Sequence, residues 1–198
     1  MREVELKSVV PDLGEARRRV EEAGGVLTFV GRLEDRRYDT ADRRLAGQDH
    51  VLRLRVYHDG AAPSRAFLDW KGATRYDAGY KVREELSTGA DDPMALAEML
   101  LRLGYILTRE IDRDIAQYEL RGTIVRFERY PRMDTLVEVE GTPDGIEAAI
   151  SSSGLPREGF TAERLPAFVT RFEERTGERA ALCDRELRGD YRFRADDA

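Results

Sequence analysis

Apolar and charged residues take turns along much of this chain. In Glu3-Val4-Glu5-Leu6-Lys7 the charges fall at 3, 5 and 7 and the apolar residues at 4 and 6. Successive side chains of a strand point to opposite faces, so the segment has one charged and one apolar face. The same period recurs in Leu52-Arg53-Leu54-Arg55-Val56, Leu68-Asp69-Trp70-Lys71, Lys81-Val82-Arg83, Val125-Arg126-Phe127-Glu128 and Val137-Glu138-Val139-Glu140. Arg109, Ile111 and Arg113 share a face in the same sense, and Glu84 interrupts the apolar side of its segment. The spacing predicts strands over about 2–9, 26–38, 51–57, 66–71, 80–86, 105–116, 118–128 and 134–141. Turns are expected at 59–64, around Gly60 and Pro63, and at Arg121-Gly122 and Pro131-Arg132, with a connection over 72–79.

Helical periodicity lies between and after these strands. One helix opens at Pro11-Asp12, carries Leu13, Ala16, Val20 and Ala23 on one face, and stops at Gly24-Gly25. Others are expected over 93–103, about 142–152 and 161–175, with short pieces near 41–45 and 180–188. Eight strands with helices inserted argue against βαβ alternation and for an antiparallel α+β sheet or barrel.

Composition narrows the class. Charged residues make up 36% of the 198 residues and the net charge is −6, which argues against a nucleic acid polymer as partner. The 33 Lys and Arg residues still allow a local basic cavity. Cys183 is the only cysteine, so no internal disulfide can form and a reducing cytoplasm is compatible. No membrane-length apolar run and no signal-like segment is present, so the expectation is a cytoplasmic protein. His50 and His58 are too few for a histidine metal site and read as solvated strand edges. Trp70, Phe127, Phe168 and Phe172 read as packing residues, and Cys183 has no histidine nearby to make it a nucleophile.

A wet face on an antiparallel sheet explains charges on any single strand. Two features go further. Arg53/Arg55, Glu3/Glu5 and Glu138/Glu140 are same-sign pairs, whereas a solubilising face mixes signs. Five or six strands also carry the pattern. Turned inward in a closed sheet, these faces would line an interior that needs water, metal or a multiply charged ligand. Carboxylates held close repel unless a cation lies between them, and magnesium takes oxygen ligands.

This ordered set resembles the CYTH family, also called triphosphate tunnel metalloenzymes. The family includes class IV adenylate cyclases, thiamine triphosphatases and inorganic tripolyphosphatases. Its ExExK signature is similar to Glu3, Glu5 and Lys7, and its Tyr-Asp-Thr segment to Tyr38-Asp39-Thr40 followed by Leu45. Its later strands resemble Leu52-Arg53-Leu54-Arg55, Leu68-Asp69-Trp70-Lys71-Gly72, Arg83-Glu84-Glu85 and Glu138-Val139-Glu140. Its late arginine matches Arg113, with Arg109 as alternative, and a basic residue near the C-terminus of some members is similar to Arg164. An aspartate followed by a Leu-Gly pair in many members is here Glu128 and Met133-Asp134.

The resemblance implies an eight-stranded antiparallel β-barrel forming a tunnel, with helices outside. It covers about 1–175 as one domain and leaves 176–198 as a partly helical or frayed extension. It assigns a small-molecule triphosphate to Arg53, Arg55, Lys71, Arg83, Arg113 and Arg164. It assigns Mg2+ or Mn2+ to Glu3, Glu5, Glu138 and Glu140, with Glu128 in the place of the aspartate. Lys7 would hold phosphate or serve as a general base. Glu85 would orient a base, support a metal indirectly or form a structural salt bridge. Attack by water on the terminal phosphorus would make a triphosphatase. Attack by the ribose 3′-hydroxyl on the α-phosphorus of ATP would make cyclic AMP and pyrophosphate. No adenine-binding signature is present, which favours the hydrolase. A non-catalytic polyphosphate-binding module would keep the bases and could lose the acids. A homodimer is compatible with the sequence.

Overall fold

The computed structural model describes residues 2–60 and 65–192. The elements run in order β1 (Arg2–Val9), α1 (Leu13–Glu22), β2 (Val26–Thr40), α2 (Arg44–Gly47), β3 (Val51–His58), β4 (Arg65–Lys71), β5 (Arg75–Asp77) and β6 (Tyr80–Gly89). Then follow α3 (Pro93–Arg102), β7 (Tyr105–Leu120), β8 (Thr123–Arg129), β9 (Leu136–Glu140), α4 (Pro143–Ser153), α5 (Leu165–Thr176) and α6 (Asp184–Arg188). Eight strands pair antiparallel in the order β1-β9-β8-β7-β2-β3-β4-β6. Pairing of β6 back onto β1, with Glu3 opposite Arg83 and Glu5 opposite Lys81, closes the ring. The fold is therefore α+β, a closed eight-stranded antiparallel barrel, with β5 held outside it on β6.

The two-residue period decides what faces where. Outward residues Leu6, Tyr118, Val125, Phe127, Val137 and Val139 form one core with Ala16 and Val20 of α1 and Ile146, Ala149 and Ile150 of α4. Outward Tyr38, Leu52, Leu54 and Leu68 meet Leu96 and Leu100 of α3. Asp12, Asp92 and Thr142 start α1, α3 and α4 by accepting from the backbone N–H three residues on, which satisfies donors that a helix end leaves open. The charged faces turn inward. The interior is apolar only towards its ends, with Phe29, Leu33 and Ile115 at one and Ile111, Tyr130 and Leu136, capped by Phe168, Val169 and Phe172 of α5, at the other.

Several details differ from the sequence reading. β7 runs unbroken to Leu120, past the end expected at 116; the turn expected at Arg121-Gly122 follows it, where both residues have positive φ (53° and 81°) as a tight two-residue hairpin requires. Within 72–79 a short strand, β5, appears. The helix expected over 161–175 begins at Leu165, because Thr161 pairs with the backbone of Lys7 in both directions. The 180–188 piece is helical only from Asp184. Ahead of it, Leu182 accepts from the Asp112 backbone N–H at 2.8 Å, and Ala181 pairs with Arg132. β8 leaves that part of β7 without a partner, so residues 180–183 take its place. Of the turn expected over 59–64, positions 61–64 lie outside the described residues. No helix among the described residues is long and apolar enough to cross a membrane.

Candidate functional site: a charged cavity inside the barrel

All eight barrel strands send side chains into one interior cavity of about 100 Å³. Eleven of its lining side chains are Lys or Arg and five are Asp or Glu. Of the expected site residues, Glu3, Glu5, Lys7, Arg53, Arg55, Lys71, Arg83, Arg113, Glu128, Glu138 and Arg164 all line it. Both arginines weighed for the late position, Arg109 and Arg113, line it too.

Acids gather on the β1–β9 seam. Register places Glu5 opposite Glu140 and Lys7 opposite Glu138. Lys7 Nζ donates to Glu5 Oε1 at 2.7 Å and meets Glu138 Oε2 at 2.6 Å. Lys81 also donates to Glu5, and Lys71 donates to both oxygens of Glu3 at 2.6 and 2.7 Å. Burial opposes ionisation of Glu5, yet Lys7, Lys81 and Lys71 outweigh it and hold the carboxyl well below its usual range. Glu138 is likewise buried and repelled by Glu5, but Lys7 and Arg126 bring it down to about 2. Lys7 is buried among Glu138, Glu5 and Glu128, which raise its pKa. It therefore stays an ammonium with donors to offer and no lone pair.

Glu140 is the exception on this seam. Burial and the charges of Glu138 and Glu3 push its carboxyl up to about 7. Among the described residues no three Asp, Glu, His or Cys side chains yet converge as a cation cage. Glu3, Glu5 and Glu138 face lysines instead. The donor set nevertheless suits a hard divalent ion: every candidate is a carboxylate, and the repulsion felt by Glu140 is what a cation would relieve.

Arginines dominate the β2, β3 and β7 side. Arg53 donates through Nε to Asp69 at 3.0 Å and through Nη2 at 2.5 Å. Arg55 donates to the two oxygens of Asp35 at 2.8 and 3.0 Å. Arg113 joins Asp35 at 3.0 Å and Glu128 at 3.0 Å. Tyr130 also donates to Glu128, at 2.6 Å. Glu128 is thus held by Arg113 and Tyr130 rather than turned to the other glutamates. Arg37 enters from β2; burial and the neighbouring Arg53 bring its pKa down to about 10, a sign of crowded positive charge.

At one edge of the cavity Arg83 donates to the carbonyls of Gly72 and Asp49 at 2.7 and 2.6 Å. Arg164, the residue before α5, donates to Asp49 at 2.7 Å and Thr74 at 2.8 Å. Glu85 is more exposed and lies 3.3 Å from Lys71 and 3.5 Å from Arg53. Asp39 of the Tyr-Asp-Thr segment faces away from the cavity's chemistry and accepts from the Leu45 and Ala46 backbone N–H groups, fixing α2. His50 packs edge-on to Trp70.

The sequence reading assigned no role to Asp35, Arg37, Lys81 or Arg126, all of which line the cavity. Lys81 and Arg126 sat in the alternation already noted. Asp35 and Arg37 lie in Glu34-Asp35-Arg36-Arg37, where four consecutive charges erase the period.

A closed antiparallel barrel with an inward acid seam opposite inward arginines defines a narrow class of protein. The chain belongs to the CYTH family: the CYTH domain model matches residues 1–144. Members of this family are triphosphatases or adenylate cyclases that act on small triphosphates and generally use divalent metal ions. Solved structures share the fold. A putative adenylate cyclase from Vibrio parahaemolyticus superposes with a TM-score of 0.73 at 17% identity, over 85% of this chain and 97% of that one. The PH1819 protein from Pyrococcus horikoshii gives 0.66 at 23%, over 82% and 94%. A Hippeastrum protein, described as a putative adenylyl cyclase with a dominant triphosphatase activity, gives 0.61 at 16%, over 91% and 98%. No curated protein sequence is matched by the chain.

Proposed function

We propose that this protein is a metal-dependent hydrolase of small triphosphates, such as inorganic tripolyphosphate, thiamine triphosphate or a nucleoside triphosphate. The observation that carries the proposal is the charge inventory of the cavity. Eleven cationic side chains face five acidic ones there, inside a chain whose net charge is −6. A buried excess of that sign calls for a polyanion.

Arg53, Arg55, Lys71, Arg83, Arg113 and Arg164 would hold the phosphates through charge-assisted bonds. Glu3, Glu5, Glu138 and Glu140 would hold Mg2+ or Mn2+, which neutralises phosphate oxygens and acidifies water. Lys7 remains a cation in this reading and gives its donors to phosphate once Glu5 and Glu138 turn from it. Water attacks the terminal phosphorus, and the arginines take up the charge that builds on its oxygens. Glu128 keeps Arg113 in place, and Glu85 is a salt-bridging residue. The triphosphatase activity named for the Hippeastrum protein supports hydrolysis over cyclisation.

The test incubates the protein with tripolyphosphate, thiamine triphosphate and ATP, with magnesium or manganese and with chelator. Metal-dependent phosphate release, abolished in Glu5→Gln, is the expected result. Cyclic AMP with equimolar pyrophosphate would establish the cyclase instead, and tight binding without turnover would establish a binding module.

A further inference from the structure

A guanidinium presents five N–H donors in a fixed fork. In Arg55 the Nε and Nη2 donors are spent on the two oxygens of Asp35. In Arg113 the same two donors go to Glu128 and Asp35. Neither Nη1 group makes a hydrogen bond to any described residue. Asp35 therefore fixes one edge of Arg55 and, together with Glu128, one edge of Arg113, and leaves the other arm of each unspent. Arg53 Nη1 is also near, 3.5 Å from Asp35 Oδ2. Asp35 is 1% exposed, and its position on β2 puts it opposite Arg55 on one side and Ile111 on the other.

We infer that Asp35 is a positioning residue for phosphate recognition: it clamps Arg55 and Arg113 by one edge so that their Nη1 arms are set for phosphate oxygens. This rests on the triphosphate reading above. A bare carboxylate in a phosphate cavity would repel its ligand. One that accepts three hydrogen bonds from two arginines instead trades a single negative charge for two oriented forks. Two long side chains then lose little further rotamer freedom when the ligand arrives. A carboxylate is required for this. Asparagine has one acceptor oxygen and would turn its N–H2 group towards donors of Arg55 alone or of Arg55 and Arg113 together, depending on the flip.

The test compares wild type, Asp35→Asn, Arg55→Lys and the double variant, with tripolyphosphate affinity measured by calorimetry in chelator. Rotation of the Arg55 and Arg113 guanidinium groups is followed by nitrogen NMR in the ligand-free proteins. Asp35→Asn should lose roughly tenfold or more in affinity, and the double variant should fall little below the worse single one. Both guanidinium groups should rotate faster in Asp35→Asn than in wild type. Unchanged affinity, or losses that simply multiply, would overturn the inference, since a merely structural acid predicts them. Should Asp35→Asn fail to fold, Asp35→Glu shifts the clamp by one methylene and should lose about fivefold; affinity equal to wild type would then overturn it. Absence of tripolyphosphate binding in wild type would remove the triphosphate reading, while the NMR comparison would still decide whether Asp35 holds the arginines.

Discussion

The acid seam of β1 and β9 and the arginine side of β2, β3 and β7 face one cavity but are balanced differently. On the arginine side each acid that lines the cavity accepts from at least one arginine. Asp35, buried among Arg53, Arg55 and Arg113, is held well below the usual carboxylate range. On the seam, flexible lysines bridge the glutamates, and Glu140 is pushed up to about 7 by burial and its neighbours' charge. Rigid planar forks suit a site kept in shape before the ligand comes, whereas mobile ammonium groups suit partners that must let go. The comparison teaches a division of labour. On the function proposed above, the arginine side would recognise phosphate, and the seam would exchange lysine for a divalent ion.

Removing an arginine arm should have the largest effect. Arg55→Ala loses a phosphate contact and leaves Asp35 less compensated, and kcat/KM should fall by roughly a hundredfold or more. A loss confined to KM at unchanged kcat would show that Arg55 binds ground state and transition state alike. Next comes the seam. Glu138→Gln should raise the magnesium concentration needed for half-maximal rate by about tenfold, while tripolyphosphate affinity in chelator changes little. Equal damage to both would erase the proposed division.

Glu140 offers a smaller effect with a defined sign. Its folded value lies near 7, above the ordinary value of 4.5, so protonation favours the fold. That stabilisation is complete below the unfolded value and is lost as pH rises through about 7. Glu140→Gln cannot ionise. In chelator it should match wild type at about pH 4 and melt higher at about pH 8, by a stability difference on the order of 2–3 kcal/mol. Identical melting at both pH values would mean the seam carries no unbalanced charge. The smallest effect is expected at Glu85, which is partly solvated and lies 3.3 Å from Lys71 and 3.5 Å from Arg53. Activity of Glu85→Gln should stay within about threefold of wild type, and a larger drop would give Glu85 a part in the chemistry.

The barrel was legible because strands buried on one face by helices and on the other by charge keep a clean period of two. Leu52 to Val56 and Val137 to Glu140 show it. The seam was legible for the same reason, and β1–β9 pairing brings its two Glu-x-Glu runs together as that pattern suggested. Legibility failed where both faces are polar. On β2, Asp35 and Arg37 point inward, but Glu34 and Arg36 also carry charge because the outside there is an ion-pair network. Arg36 reaches Asp112 at 2.7 Å, and Arg32 reaches Asp184 at 2.7 Å. The pattern suggests helix over residues 180–183 because a segment that only bridges to neighbouring backbone, at Asp112 and Arg132, leaves no periodic signal of its own. Their burial comes from β7 and from Arg132, distant in sequence.

The most direct measurement is calorimetric titration of tripolyphosphate into the protein, with chelator and with magnesium, beside phosphate release under the same two conditions. Binding in both conditions with turnover only in magnesium is the predicted result. It would place phosphate recognition on the arginine side and metal dependence on the seam. Absence of binding in both conditions would contradict the account, since the inward cations would then serve only to neutralise the acids beside them.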